Sequence, residues 1–470
     1  MSFPRYPAYK NSGVEWLGDV PEHWSIYSLK RSVEGCVNGI WGDEPDGEFD
    51  VPVIRVADFD RAKSRVSMEK LTYRSIPLKD RLSRELKSGD LLIEKSGGGE
   101  KMLVGCTVLF EHDFEAVTSN FVARMRPHRG YESGFLCYVL DTLYQGRLNY
   151  PAIKQTTGIQ NLDSEAYLQG RFCFPSYGEQ AQIASFLDHE TAKINALIEE
   201  QQRLIELLKE KRQAVISQAV TKGLDPHVPM KDTGVKWLGK VPVHWETGAL
   251  RWYATIQGGL AKGKDYVGQE TVTVPYLRVA NVQNGFVDLT EVKEISVLPT
   301  DVGRFSLRAG DVLMNEGGDN DKLGRGAVWQ AQIEPCLHQN HVFAIRPNYA
   351  LSAEWLALFT QSDQARTYFF IYAKQSTNLA SISASNVMSM IIPLPCVEEQ
   401  NEIMSYLAQG NEKYDQLIGS ALATVKLLEE RRSALISAAV TGKIDVRGWH
   451  LPKPPRHDSH PEHKSCLESI

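Results

Sequence analysis

EEQQRLIELLKEKRQAVISQAVTKGLD, from Glu199 to Asp225, returns later in the chain as GSALATVKLLEERRSALISAAVTGKID, from Gly419 to Asp445. A shift of 220 positions lays Leu207, Leu208, Glu210, Arg212, Ala214, Ile216, Ser217, Ala219, Val220, Thr221 and Asp225 on identical residues. The chain is therefore one plan used twice, and every other feature has to be read against that duplication. In the first copy Ile194, Leu197, Leu204, Leu208 and Val215 fall three, four or seven apart, with Ile198 and Ile205 widening the stripe. In the second, Tyr414, Leu417, Ala421, Leu428, Leu435 and Ala438 do the same. Such spacing marks a heptad seam on a long helix. No proline breaks either run, and Gly223 and Gly442 stand where a glycine would end each helix. From Glu179 to Lys222 an unbroken helix would be roughly 65 Å long at about 1.5 Å of rise per residue. Two equal helices of that length are suited to pack antiparallel as a coiled coil, a rigid spacer between two bodies.

The duplication extends upstream of the helices. KNSGVEWLGDVPEHW from Lys10 returns as KDTGVKWLGKVPVHW from Lys231, with ten identities in fifteen. Its tryptophans point to indole packing, with His23 and His244 as parts of that anchor. Short strands are expected at VPVIRVAD from Val51 and VPYLRVAN from Val274. LKSGDLLIEKSGGG from Leu86 answers LRAGDVLMNEGGD from Leu307, each a turn, an apolar strand and a glycine cluster. The next strand repeats Asn120, Val122, Arg126 and Pro127 as Asn340, Val342, Arg346 and Pro347. Helical passages then lead to the polar loops KQTTGIQNL from Lys154 and KQSTNLASI from Lys374.

These blocks predict an α+β chain. The boundaries are a first globular domain over 1–178, a long helix over 179–224, a second domain over 225–398, a second helix over 399–444, and a loose tail over 445–470. The tail holds His457, His460 and His463 at three-residue spacing, but Pro461 interrupts the set, so no metal site is read there.

Composition narrows the function. At 470 residues the chain exceeds one typical domain, and 42% hydrophobic content is enough to build cores. No apolar run is long enough to span a membrane, and the start lacks a secretory pattern. Seven cysteines without a CxxC pair argue for a reducing cytoplasm. The net charge of -6 is modestly unfavourable for binding nucleic acid, yet between Arg61 and Lys101 eleven bases outnumber six acids.

Catalytic patterns fail. The GGGEKM cluster at Gly97 lacks the ending of a phosphate-binding loop, and its counterpart EGGD has no lysine. Nothing assembles a nucleophile, a base and an oxyanion donor. The shared framework with unlike loops suits a reader of two different DNA targets. Lys154, Gln155, Thr156 and Thr157, then Lys374, Gln375, Ser376 and Thr377, with Lys95 and Ser96, are the candidate DNA contacts. The candidate seam is Ile194, Leu197, Leu204, Leu208 and Val215 against Tyr414, Leu417, Leu428 and Leu435.

In this order, twice over, the blocks resemble the specificity subunit of type I restriction-modification enzymes along almost the whole chain. The carriers are GVEWLGDVPEHW and GVKWLGKVPVHW, the SGDLLI and AGDVLM turns, Pro175 to Gln180 and Pro395 to Gln400, and the two helix endings. The resemblance implies a non-catalytic subunit that reads a bipartite double-stranded DNA site, one domain per half-site. It also implies that the helices dock two modification subunits, onto which restriction subunits can add. S-adenosylmethionine, ATP and magnesium would belong to those partners. An assembly scaffold or phage-defence adaptor that reads no sequence, and a DNA-modifying enzyme with an unrecognised site, are the alternatives.

Overall fold

Two helices, Tyr177–Lys222 and Val397–Val440, dominate the structure. It is a computed structural model describing residues 3–98, 102–156, 158–262, 268–318, 323–375 and 380–451. The chain folds as two compact units, one of Met1–Gln201 with Ala423–Ile470 and one of Gln202–Leu422. The division passes through the middle of both helices, whereas the sequence reading had drawn it at their starts. Each unit thus owns the leading half of one helix and the trailing half of the other, because the apolar stripe near each helix end is buried in a different core.

In the first unit a mixed sheet runs in the order Val37–Asn38, Val122–Met125, Leu91–Glu94, Thr107–Leu109, Arg65–Val66 and Phe59–Asp60. Leu91, Ile93, Ala123 and Met125 pack beneath the helix Ser133–Gln145, and Ile436, Ala439 and Val440 join the same core. The second unit repeats this with Ala254–Gly258, Val342–Pro347, Val312–Asn315 and Gly326–Val328. Its core takes in Ile216, Ala219 and Val220.

Three duplicated devices explain the repeated blocks. The aspartate of each GD turn accepts from its own turn and holds an arginine in a fork: Arg126 on Asp90 at 2.8 and 2.7 Å, Arg346 on Asp311 at 2.7 and 2.7 Å. Glutamates at the helix starts anchor the His-Trp pairs. Glu179 accepts from Trp24 Nε1 at 3.1 Å and pairs with His23 at 2.9 Å, and Glu399 does so with Trp245 and His244, both at 2.9 Å. The neighbouring glutamines bond their own approach segments: Gln180 to Pro175 O and Glu132 N, Gln400 to Pro395 O and Ser352 N. Both histidines are thus framework.

The helix ends also behave alike. Gly223 and Gly442 have φ of +77° and +71°, and a β-carbon on Gly442 would sit 2.3 Å from Pro21 Cδ. Only glycine serves there. Beyond it, the segment expected to be loose is docked at its start. Asp445 N donates to Pro4 O at 2.8 Å, Val446 is buried, and Trp449 packs edge-on against Phe186. An apolar residue and an indole outweigh the polar composition around them. The three tail histidines lie outside the described residues.

The seam is shifted from the sequence reading at three places. Leu197, Leu204 and Leu417 are 51%, 42% and 53% exposed, whereas their neighbours Ile198 and Ile205 are buried and Ile418 is half-buried. Ile194, Leu208, Val215, Tyr414, Leu428 and Leu435 do lie on the buried side. Adjacent apolar pairs such as Leu197-Ile198 fit three-four spacing equally well in isolation. Continuity decides between them: 191, 198, 205, 212 and 219 are seven apart, as are 411, 418, 425, 432 and 439, and none of these is exposed.

Candidate nucleic-acid interface

The polar loops after Lys154 and Lys374 fold as hairpins that each pair with a glycine-cluster strand. In the first unit Ser96–Gly97 lies beside Ile159–Leu162, which lies beside Ile153–Thr156. The register is Ser96↔Asn161↔Lys154 and Gly97↔Gln160↔Gln155. In the second unit the rows are Gly317↔Ser381↔Lys374 and Gly318↔Ala380↔Gln375. The glycine clusters are therefore strands rather than simple turns, and φ of +130° at Gly97 and +143° at Gly318 accounts for the residue type.

Alternation sorts the side chains of the first sheet. Gln160 and Leu162 are buried, and Gln160 Oε1 accepts from Val104 N at 3.2 Å. Ile159 and Asn161 are exposed. Ser96 Oγ donates to Asn161 Oδ1 at 2.5 Å, and Lys154 Nζ reaches Asp163 at 2.7 Å, which raises the lysine pKa. Lys95 Nζ donates to Asn38 Oδ1 at 2.7 Å. Hence Ser96 and Lys154 share one row of a small sheet, Gln155 lies in the next row beside Gln160, and Lys95 directly precedes the edge strand; Lys374 and Gln375 occupy the same rows of the other sheet. Thr156 ends the strand Ile153–Thr156, and Thr157, Ser376 and Thr377 lie outside the described residues. Such a surface offers ammonium, amide and hydroxyl groups, the chemistry that meets phosphates and base edges.

A cleft of about 570 Å³ adjoins the first sheet, lined by Trp41, Arg55, Val56, Glu94, Ser96, Gly97, Ser119 and Phe121 among others. The sequence reading missed Trp41 and Phe121. Phe121 falls inside a matched strand block and looked like framework, yet it is 50% exposed. Tyr150 and Phe370, each four positions before a hairpin lysine, are exposed aromatics that were also missed. Comparing Phe121 with its counterpart His341 would have flagged the first of these. Glu94 is buried, which raises its pKa, and Arg61 Nη2 donates to it at 2.8 Å.

Among the described residues no group of three or more His, Cys, Asp or Glu could hold a metal ion, and no helix is long and apolar enough to cross a membrane. No family model matches the chain. It is 23% identical over 397 residues to the type I restriction enzyme EcoKI specificity subunit of Escherichia coli K12, covering 83% of this chain and 82% of that one. It is 21% identical over 378 residues to the StySPI specificity subunit of Salmonella potsdam, covering 79% and 78%. A putative MjaX specificity subunit of Methanocaldococcus jannaschii is 24% identical over 209 residues, 43% of this chain and 47% of that one. Among solved structures, a chain described under complex assembly and conformational transition of the type I R-M system superposes with a TM-score of 0.60 at 18% identity. The match covers 90% of this chain and 98% of that one.

Proposed function

We propose, for a chain that belongs to the specificity subunits of type I restriction-modification systems, that each compact unit reads one half of a bipartite DNA site. The observation that carries this is the repeated three-stranded sheet. The same backbone register presents Lys154 and Lys374 at matching positions, while the residues beside them differ, Ser96 and Asn161 against Gly317 and Ser381. A lysine in a fixed place can locate a phosphate, and unlike neighbours can select unlike bases.

The long helices set the spacing of the half-sites as an antiparallel pair. Support comes from inside each unit, where the helix segments meet side by side: Arg432 reaches Asn195 in the first, and Arg212 reaches Asp415 in the second. The leucines outside the seam, Leu197 and Leu207 with their repeats Leu417 and Leu427, give two modification subunits equivalent apolar stripes to bind. Catalysis then belongs to the partners. Modification subunits transfer methyl groups from S-adenosylmethionine, restriction subunits use ATP and magnesium, and the assembly works in the cytoplasm.

Co-expression with the modification subunits, followed by genome-wide mapping of methylated adenines, tests this reading. A bipartite motif with a fixed spacer is the expected result. Methylation by the isolated chain, or binding with no preference among randomised duplexes, would overturn it.

A further inference from the structure

Resting on the reading above, we infer that the cleft bounded by Trp41 and Phe121 seats the methyl edge of a thymine in the half-site bound by the first unit. The argument begins with what the cleft cannot offer. Arg55 is held by Asp58, through Nε at 3.1 Å and Nη2 at 2.7 Å, and Glu94 is held by Arg61. Its charged groups are occupied, and what faces the opening is mainly the apolar surface of Trp41, Val56 and Phe121. Leaving an indole and a phenyl ring partly in water is unfavourable unless something covers them.

The cleft is continuous with the candidate interface, because Ser96 and Gly97 line it and also form the edge strand of the Lys154 sheet. A duplex lying on that sheet would bring base edges to its mouth. In the major groove the thymine C5-methyl is the one apolar group a base pair presents, and it lies beside the O4 acceptor. Ser119 lines the cleft too, but its hydroxyl is buried beneath the surface, so the wall is apolar where the methyl would sit. At the rim the Arg74 guanidinium stacks 4.5 Å from the Trp41 ring centroid and is paired with Glu44, so its charge too is occupied.

The second unit departs here, although its backbone follows the same path. Ile40 N donates to Thr118 O at 2.8 Å, and Leu260 N donates to His338 O at 2.9 Å, which aligns Trp41 with Ala261. Lys95 N and Glu316 N donate to the carbonyls of Phe121 and His341, which aligns those two residues as well. In place of an exposed phenyl ring stands His341, paired with Glu316 at 3.1 Å. The two half-sites should therefore differ in their dependence on a methyl group.

The test uses the full complex of this chain with its modification subunits, and duplexes carrying the mapped site with each thymine replaced singly by deoxyuridine. One position in one half-site should lose about fourfold in affinity, the factor that burying a single methyl contributes. Phe121→Ala should bind more weakly and no longer distinguish thymine from deoxyuridine at that position. Thymines of the other half-site should show no comparable loss. Sequence-specific binding with every replacement neutral, a sensitive position that Phe121→Ala leaves unchanged, or a half-site without thymine would overturn the inference while leaving the proposed function standing. Binding without any sequence preference would overturn both.

Discussion

Arg432 on the second long helix donates through Nη1 to Asn195 Oδ1 on the first at 2.6 Å. Its counterpart 220 positions earlier, Arg212, donates to Asp415 at 2.6 Å, and Asp415 is the counterpart of Asn195. The duplication therefore repeats a clasp between helices, with an ion pair in one copy and a charge-to-amide hydrogen bond in the other. Both arginines occupy seam positions among apolar residues, where a polar group constrains register more than it adds stability. Asp415 is largely exposed, so solvent screens its pair. A double-mutant cycle on Arg212→Ala and Asp415→Ala should return a coupling of at most about 1 kcal/mol that shrinks with salt. A coupling of several kcal/mol that survives high salt would contradict this account.

The seam itself separates two stripes that the sequence left ambiguous. Ile198→Ala and Ile205→Ala remove buried methyl groups and should each cost about 2–4 kcal/mol in thermal or denaturant unfolding. Leu197→Ala and Leu204→Ala, on the exposed side, should change the isolated chain by no more than about 0.5 kcal/mol. Leu197→Ala, which lies in the proposed docking stripe, should in addition weaken association with the modification subunit, measured by titration calorimetry. Equal destabilisation by all four would show that the seam is misplaced.

The duplication, both helices and their terminal glycines were legible because each rests on local chemistry repeated twice, whereas the glycine clusters read as turns and are strands. Less legible was anything decided by the third dimension. Glu179 and Glu399 stood out only as parts of a motif, and their role appears once Trp24 and Trp245 are seen against them. Phe121 looked like strand framework because alternation in sequence does not say which face is covered. Lys154 and Ser96 lie 58 positions apart, and only strand pairing across Asn161 makes them one surface.

On that surface, changing Lys154 and Gln155 together to alanine should weaken binding to one half-site and leave the other unaffected. Loss of one phosphate contact should also lower the salt dependence of binding by about one unit of log affinity against log salt. Fluorescence anisotropy on duplexes with one half-site scrambled at a time measures both. Equal loss on the two half-sites would count against the assignment.

His338 makes the second unit sensitive to acid. It is fully buried, its Nδ1 bonds to Val342 O at 2.7 Å, and Nε2 has no partner among the described residues. Burial holds its pKa below the ordinary value of 6.5. The unfolded chain therefore binds a proton at a pH where the folded chain does not, and stability falls as pH drops below about 6.5. The first unit has Thr118 at this place and lacks the effect. Melts of His338→Asn, which keeps a donor toward Val342, should show a lower baseline but a flatter dependence between pH 7.5 and 5.5. An unchanged slope would mean that other groups set the acid limit.

The helices should also act as a ruler. Seven residues inserted into each, between Gln201 and Gln202 and between Leu422 and Ala423, preserve the three-four seam and leave each compact unit whole. The added length is about 10 Å at roughly 1.5 Å per residue. At about 3.4 Å per base pair of duplex, this corresponds to a spacer longer by up to about three base pairs. Fewer will be added where the helix pair runs oblique to the DNA axis, and every added pair also rotates one half-site about the duplex. The bases read in each half should stay the same, since the sheets bearing Lys154 and Lys374 are untouched. A heptad in one helix alone breaks the match of the two seams and should cost stability without giving a new defined spacer. Methylation mapping of the doubly extended variant decides the matter: an unchanged spacer at full activity, or altered half-site bases, would show that the helices do not set the distance.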